Sequence, residues 1–382
     1  MKKTLLATAV VSAIAAMGAT SSVQAATVFD QDGTKLDVYG RISMGIRGGG
    51  DQYRDPTAAE LDGDPTLESV KIDNGAEFVD VYSRLGFNMS QQVTNDLSAF
   101  GRLEWRYSGD ESSSPGFNEI RQSYVGLQSN QFGTVQAGNF DSFYNQFVSL
   151  PFDVYIDRGL EFAGHPTQSR GDSIGYFTPE LEGFTVYLQA KHYSERDLNE
   201  NGPLLNGDGD VESAGVSGEG NVIAAQGGVR YQQGPITVGL GFVEDVVRGG
   251  GNGELLGGLI GSYAVNDALS VRLGYEGRGN SDTYVASDGT NGFDKIGLGM
   301  SYSLGDLAFN ADIYDVDPDG DADSRTSWAL GSYYNVSSNF NVFLELQQAD
   351  QQPVTVDISE GGDAITSDSD DIYYVTGARY FF

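Results

Sequence analysis

The last twelve residues, Asp371–Phe382, read DIYYVTGARYFF. Every second position from Ile372 to Phe382 is uncharged and mostly apolar, whereas the positions between them include Asp371 and Arg379. This alternation is typical of a strand with lipid on one face and water on the other. Because chain ends usually fray as polar tails, a strand that ends on an aromatic ring indicates the last strand of a closed sheet.

The same period of two recurs upstream. In the segment Leu36–Arg47, apolar residues alternate with a second set that includes the charged Asp37, Arg41 and Arg47. A register shift of one residue would place these charges in lipid, where an arginine costs about 2–4 kcal/mol. The segments at 121–127 and 326–334 alternate less cleanly. For the first of them, one interpretation is a wall covered by a neighbouring subunit.

Short and long connections alternate along the chain. Seven short turns, near residues 95, 130, 182, 234, 266, 305 and 338, separate eight generally longer loops that are rich in glycine and acids. The sequence therefore predicts an all-β protein, a 16-stranded antiparallel transmembrane β-barrel. Its first and last strands must pair, because unpaired backbone groups in hydrocarbon cost several kcal/mol each. A soluble β-sandwich or propeller is the alternative, but it would not separate tight turns from long loops so regularly.

The N-terminal residues 1–25 are predicted to be a secretory signal peptide. Lys2 and Lys3 precede an apolar run from Leu5 to Met17, and small residues lead to a cleavage site after Ala25. Residues 26–382 then form one barrel domain, and loss of the two lysines takes the formal net charge from −32 to −34. Such acidity argues against a nucleic-acid partner and attracts cations.

The third long connection, Phe140–Gly171, carries an unusual number of aromatic residues. Because an exposed loop seldom presents so much ring surface, we expect this loop to fold inward and pack inside the lumen. Its acids are Asp141, Asp153, Asp157 and Glu161, and the barrel wall supplies Arg41, Arg84, Arg102, Arg121 and Arg170. Opposed charges across a narrow gap decide which solutes pass, so these nine residues are the predicted pore constriction. The alternative for any single acid is a pairing with the loop backbone or with Arg158.

Four short stretches, in this order and spacing, carry a resemblance to a known family. They are YGRI at 39–42, SRLGF at 83–87, EIRQSYVGL at 119–127 and ARYFF at 378–382. Together with the third loop they resemble the general, non-specific trimeric porins of Gram-negative outer membranes. The resemblance implies a homotrimer, a third loop whose acids face an arginine cluster, and a terminal aromatic signal, here Tyr380 and Phe382, that outer-membrane assembly machinery reads.

The third loop departs from the best-known members of that family. Those members carry a Pro-Glu-Phe-Gly-Gly-Asp run, whereas this chain has Leu150-Pro151-Phe152-Asp153 and, further on, Glu161-Phe162-Ala163-Gly164. The resemblance therefore leaves open which acid takes which role.

The predicted function is a water-filled outer-membrane channel for passive diffusion of small hydrophilic solutes and ions, with a preference for cations. The alternatives are a substrate-specific channel that uses the aromatic residues of the third loop, and a structural or adhesin barrel with little conductance. Neither an enzyme nor a cofactor is predicted, because the chain has no cysteine and only two histidines, His165 and His192. Lipopolysaccharide is a predicted partner, through divalent cations held by acidic loops, with candidate ligands at Asp208, Asp210 and 368–371.

Overall fold

The fold was analysed in a computed structural model. It describes residues 25–50, 76–111, 116–162, 164, 170–193, 222–244, 255–279, 292–319, 323–349 and 371–382, with short stretches at 52–54, 56–57, 61, 70–73, 204–205, 211–213, 354–357 and 364–367. Residues 1–24 of the predicted signal peptide, His165 and the acids Asp208, Asp210, Asp368 and Asp370 lie outside these residues.

The described residues form the predicted closed barrel of sixteen antiparallel strands. The strands are β1 (Thr34–Gly48), β2 (Glu77–Asp80 and Arg84–Gln92), β3 (Leu97–Ser108), β4 (Gly116–Ser129), β5 (Gly133–Asp141), β6 (Arg170–Phe177), β7 (Phe184–Tyr193), β8 (Val222–Gln233), β9 (Ile236–Glu244), β10 (Leu255–Ala264), β11 (Leu269–Arg278), β12 (Phe293–Leu304), β13 (Leu307–Pro318), β14 (Arg325–Ser337), β15 (Phe340–Gln348) and β16 (Tyr373–Phe381). Each strand pairs with the next along the chain, and β16 pairs with β1.

The barrel closes where the two ends of this domain meet. Strand β16 pairs with the second half of β1, from Arg41 to Gly48. The backbone N–H and C=O of Phe382 both hydrogen-bond to Gly40, at 3.1 and 2.9 Å. An additional strand, Ala26–Gln31, which the sequence pattern did not predict, pairs with the first half of β1. Strand β16 and this N-terminal strand therefore share one edge of β1, which leaves little of that edge unpaired.

The outer wall is apolar, as the alternation predicted. Exposed aliphatic side chains form a band around it, including Ile42, Ile46, Leu188, Leu240, Leu259, Leu273, Leu298, Ile313, Leu330 and Leu344. Exposed aromatic rings lie near the short turns, among them Phe132, Tyr176, Phe184, Tyr263, Tyr302, Phe309, Tyr334 and Tyr380. An apolar band with an aromatic belt at its edge is the surface that a bilayer requires of a barrel.

Two irregularities interrupt the alternation of inward and outward side chains and turn additional side chains into the lumen. In β4, Gln122 pairs with Glu104 and Ile120 pairs with Trp105, so Arg121 has no partner in the register and forms a bulge. In β2, Tyr82 lies in the break between the two halves and has φ of +63°, a rare value for a non-glycine residue. The bulge explains why the segment 121–127 alternates poorly.

Two loops of the long-loop side are joined by a small sheet. Its strands are Val354–Asp357, Ala364–Ser367, Gln52–Arg54 and Val70–Asp73, in that order. The connection after β1 thus pairs with the connection before β16, and these are neighbours around the barrel. A further two-stranded pair is formed by Leu204–Leu205 and Val211–Ser213. Within the described residues, no helix has the length and apolar character of a membrane span.

Candidate pore constriction

The third loop leaves the wall at Asp141 and turns at once into the lumen. The side chain of Ser142 accepts a hydrogen bond from the backbone N–H of Asn145, and its carbonyl accepts one from Gln146. These bonds start a helical turn, Asn145–Ser149, and a 3₁₀ turn, Leu150–Phe152, follows with Pro151 near its start, where the missing N–H costs nothing.

The aromatic residues of this loop form a hydrophobic core against the far wall. Phe143, Tyr144, Phe147, Phe152 and Phe162 are buried. They pack with wall residues of β7 to β13, namely Tyr187, Val243, Leu256, Ile260, Tyr314 and Val316. The rings of Phe147 and Tyr187 are stacked with centroids 5.0 Å apart. The loop is thus packed as a protein interior is, and its rings do not line open space.

Two wall glycines make this close approach feasible. A Cβ at Gly258 would lie 1.9 Å from the hydroxyl oxygen of Tyr144, and a Cβ at Gly297 would lie 2.5 Å from the ring of Phe162. Any larger residue at either position would displace the loop. Glycine in these strands therefore serves close packing, which is one of the standard reasons for glycine inside a sheet.

Polar contacts fix the same loop to the wall at its middle. Asp157 accepts two hydrogen bonds from Arg47, at 2.8 and 3.0 Å, and one from the hydroxyl of Tyr82 at 2.8 Å. The wall residue Glu345 accepts from the backbone N–H groups of Ile156 and Asp157, at 2.6 and 3.0 Å. Asp157 is therefore an anchor, and its side chain is only 4% exposed.

Glu161 anchors the end of the loop in the same way. Both of its carboxylate oxygens accept from Arg325 of β14, at 2.9 and 2.8 Å. Burial acts to raise the pKa of Glu161, but the hydrogen bonds and charge of Arg325 outweigh it and lower the pKa. The carboxylate is therefore ionised and neutralised by its partner.

Asp153 is placed differently from the other acids. Its side chain is exposed, and it makes no ion pair within the described part of the chain. Its backbone N–H closes the 3₁₀ turn on the carbonyl of Leu150 at 3.1 Å. The arginines whose charge acts on it are Arg121, Arg84 and Arg41 of the opposite wall. Asp153 is thus the free carboxylate that the loop presents to the lumen.

The opposite wall is organised around Glu104, a residue that was not among the predicted site residues. Glu104 accepts hydrogen bonds from Arg121 at 2.6 Å, from Arg102 at 2.9 Å and from the hydroxyl of Tyr39 at 2.8 Å. Arg84 lies 3.8 Å from the same carboxylate. Its side chain is 1% exposed. The sequence did hold a signal for this residue, because Glu104 alternates with Arg102 and Arg106 on the face of the strand that is predicted to point into the lumen.

A second group of ion pairs continues this wall toward the third loop. Asp141, the last residue of β5, accepts from Arg121 at 3.0 Å and from Arg170 at 2.8 Å. Glu119 pairs with Arg170 and, at 3.3 Å, with Arg106. Asp141 therefore belongs to the wall and not to the loop.

Arg41 completes the wall without a carboxylate partner in the described structure. Its Nε donates to the carbonyl of Tyr82 at 2.9 Å, and that carbonyl is available because the β2 strand breaks at Tyr82. The ring of Tyr82 also stacks on Arg106, whose guanidinium carbon lies 4.6 Å from the ring centroid. One residue in an unusual backbone conformation thus supports two arginines of the wall and, through its hydroxyl, the loop acid Asp157.

The resulting surface, called the arginine wall below, carries excess positive charge. It contains six arginines and three carboxylates: Arg41, Arg84, Arg102, Arg106, Arg121 and Arg170, with Glu104, Glu119 and Asp141. All five predicted wall arginines lie in it. Of the four predicted loop acids, Asp153 faces it, Asp141 is part of it, and Asp157 and Glu161 are paired elsewhere.

The remaining histidine, His192, lies on β7 with an exposed side chain. It is on the outer face, since its neighbour Lys191 is buried on the inner one. Tyr380 is 48% exposed at the short-turn edge, and Phe382 packs its ring over Gly40. Both residues of the predicted assembly signal thus lie on the outer face of the barrel edge.

Comparison with known proteins agrees with this architecture. The model of the Gram-negative porin family matches residues 9–354. A monosaccharide porin from a Halomonas species is 28% identical over 392 aligned residues, which cover 92% of this chain and 96% of that protein. Among solved structures, Salmonella typhi OmpF in complex with daunomycin superposes with a TM-score of 0.64 at 16% identity, covering 94% of this chain and all of that one.

An anion-selective porin from Comamonas acidovorans superposes with a TM-score of 0.62 at 20% identity and covers 91% of this chain and all of that one. The major outer membrane protein of Halomonas elongata is also 28% identical, with the same coverage as the Halomonas monosaccharide porin. The barrel, its apolar belt and these relatives locate the protein in the Gram-negative outer membrane. The chain belongs to the Gram-negative porin family.

Proposed function

We propose that this porin is a passive diffusion channel whose narrowest passage runs between Asp153 and the arginine wall. The observation that supports it most directly is the exposed carboxylate of Asp153. It stands on a fixed loop opposite six arginines inside a closed barrel, and it makes no ion pair with any residue that the structure describes. Sixteen strands enclose a lumen too wide for side chains to fill. Small hydrophilic solutes and ions then move along their own gradients.

The selectivity we propose is a weak preference for cations that originates at the outer mouth. The long connections are rich in acids, and the whole chain carries a formal charge of −32. The arginine wall opposes this preference, because its arginines outnumber its carboxylates. Exposed loop charges are screened within about 8 Å at physiological salt, so the preference for cations should decrease as the salt concentration rises.

The test is the reversal potential of single channels in planar bilayers under a potassium chloride gradient. Asp153→Asn should shift the potential toward anions, and the matched change Asp306→Asn, in a short turn, should leave it unchanged. An unaltered potential in Asp153→Asn would remove this residue from the constriction. Absence of conductance in the wild type would favour the structural or adhesin alternative.

A substrate-specific channel for monosaccharides is the second candidate. It is favoured by the name of the Halomonas relative. The ring of Tyr39 on the inner wall adds nothing to it, because Tyr39 is buried and Arg102 lies over its ring. The aromatic rings of the third loop do not support it, because they are buried behind the loop. Saturable uptake of glucose into liposomes would establish this candidate, whereas uptake linear in concentration would reject it.

We also propose a homotrimer that forms through the outer wall of β2 to β6. This wall bears a concave, mainly apolar depression with a volume of about 1140 Å³, lined by Met89, Ala99, Leu103, Val125, Ala137 and Ile174 among others. Large exposed apolar concavities commonly mark interaction sites.

The remaining predictions concern export and assembly. We propose cleavage after Ala25, recognition of Tyr380 and Phe382 by the assembly machinery, and attachment of lipopolysaccharide to acidic loops through divalent cations. We propose no enzymatic activity. Lipase activity of the purified protein that disappears in His165→Ala would contradict the last proposal.

A further inference from the structure

Arg379, near the end of β16, is an arginine whose charge has little direct compensation. Its side chain is 0% exposed. Its Nε donates to Oδ1 of Asn341 at 3.1 Å. Neither of its two terminal nitrogens has a hydrogen-bond partner in the described structure. The rings of Phe343 and Phe381 lie 5.6 and 5.3 Å from its guanidinium carbon and supply only cation–π attraction.

The residue directly opposite Arg379 on β1 is Ser43. Ser43 is also fully buried, and its hydroxyl has no partner in the described structure. Cβ atoms of directly opposed residues lie about 4.5–5.5 Å apart. The inner face therefore brings together three unpartnered polar atoms, each of which can donate a hydrogen bond.

The charge around these atoms is positive. The neighbouring Arg41 is buried, and its charge and that of Arg379 repel each other. Neither arginine has a carboxylate within 4.0 Å among the described residues. The carboxylate whose charge reaches Arg379 is that of Glu345. Its oxygens already accept from the loop backbone and, at 2.6 Å, from the hydroxyl of Tyr333.

A buried guanidinium without a carboxylate partner is costly, because the desolvation of its charge is not repaid. The Ser43 hydroxyl can also accept a hydrogen bond, but in this structure it does not bond to the guanidinium. An acceptor with negative charge is the group that would satisfy the guanidinium and its charge together. We propose that Arg379 and Ser43, with Arg41 beside them, bind a small inorganic anion of the size of chloride. The complete burial of Arg379 and the two flanking rings disfavour an organic anion. This site lies in the barrel wall between β1 and β16, and its existence does not depend on the proposed path of solutes.

Bromide is the probe, because its anomalous scattering identifies it in a crystal. Crystals of the full-length protein soaked in sodium bromide should show an anomalous peak within hydrogen-bonding distance of the Arg379 guanidinium. Arg272 is an internal control: it is also buried, but it donates to Asp312 at 2.8 Å, so no peak is expected there. A water molecule without anomalous signal at Arg379 would overturn the proposal.

A solution experiment tests the same site without crystals. A ligand that binds only the folded protein raises its unfolding temperature. The wild type should unfold at a higher temperature in sodium chloride than in sodium gluconate of equal ionic strength. Ser43→Ala, which retains every charge, should reduce this difference, and Arg379→Met should abolish it. Ser301→Ala, beside the paired Arg272, should retain it. Equal unfolding temperatures of the wild type in the two salts would contradict the site.

Discussion

Glu104 shows how a single residue determines the state of several others. It is a buried carboxylate within hydrogen-bonding or ion-pair distance of three arginines. Without it, those guanidinium groups would repel one another in a space of low dielectric constant, where charges interact strongly. The arginine wall is therefore ordered by a negative charge that points inward but is covered by its partners.

Replacement of this carboxylate should change both stability and selectivity. Glu104→Gln keeps the size of the side chain but removes one negative charge, so the wall becomes more positive. We expect the reversal potential to shift toward anions and the free energy of unfolding to fall by about 3–5 kcal/mol, the cost of breaking a buried ion pair from one side. Glu182→Gln, the same change in an exposed short turn, should do neither. A normal potential in Glu104→Gln would mean that the wall does not determine selectivity.

The third loop behaves as an element of the wall. Its rings pack on one side, and Asp157 and Glu161 hold it at two points to strands far away in the sequence. Loops that move usually have few buried contacts, and this one has many. The loop should therefore set a constant passage at neutral pH.

Low pH should weaken the attachment of the third loop to the barrel wall. The pKa of Glu161 in the folded protein is lowered from its ordinary value of 4.5 by Arg325. Its contribution to stability is therefore complete above about pH 4.5 and is lost as the pH falls through the lowered value. Single-channel records should show more frequent closures as the pH is lowered from 6 toward 3. Glu161→Gln should close frequently at every pH, whereas Glu182→Gln should resemble the wild type. Closures in Glu161→Gln that keep the wild-type pH dependence would assign the effect to another acid.

The terminal strand is a second element with a testable role. Phe382 pairs with Gly40 through both of its backbone groups and covers it with its ring. Deletion of Phe382 should lower the amount of folded protein in the outer membrane severalfold, while channels that do assemble keep their reversal potential. Phe309→Ala, which removes a ring from the same edge, should assemble nearly normally. Altered selectivity with normal assembly would contradict this role.

At the scale of the whole molecule, the outer wall has two kinds of surface. Most of it is a band of large, exposed aliphatic residues suited to lipid. The wall of β2 to β6 is instead concave, with small residues such as Ala99 and Ala137 among larger ones. A concave apolar surface packs better against a protein than against mobile acyl chains, because close packing needs complementary shape.

Replacing a small outer-face residue with tryptophan tests whether that part of the wall packs against another subunit or only contacts lipid. Ala137→Trp should reduce the fraction of trimer, as measured by mobility in unheated gels, because the ring would fill the concave surface. Ala311→Trp, the same change on the outer face of β13, should remain trimeric, since lipid accommodates the ring. Equal trimer content in both variants would exclude this wall as the interface.

The sequence by itself determined the barrel, its strand number and its register. These features depend on an alternation with a period of two, which is a property of neighbouring residues and is visible at Leu36–Arg47 as at Asp371–Phe382. Because charged side chains are costly in lipid, the face of each strand that carries them must point into the lumen. Arg41, Arg84 and Arg102 followed from the same argument. Strict alternation would have left Arg121 on the face of Val125 and Leu127, and Arg170 on the exposed face of Ile174 and Tyr176.

Only the tertiary structure decided which charges are free. Asp157 pairs with Arg47, 110 residues away, and Glu161 with Arg325, 164 residues away. Such pairs depend on the path of the third loop through the lumen, and no local pattern encodes that path. The β-bulge that turns Arg121 inward and the positive φ of Tyr82 are likewise set by contacts between strands. The sequence therefore determined where the charges of the wall and loop would meet, and the packing of the loop decided that Asp153 is the acid left to face them.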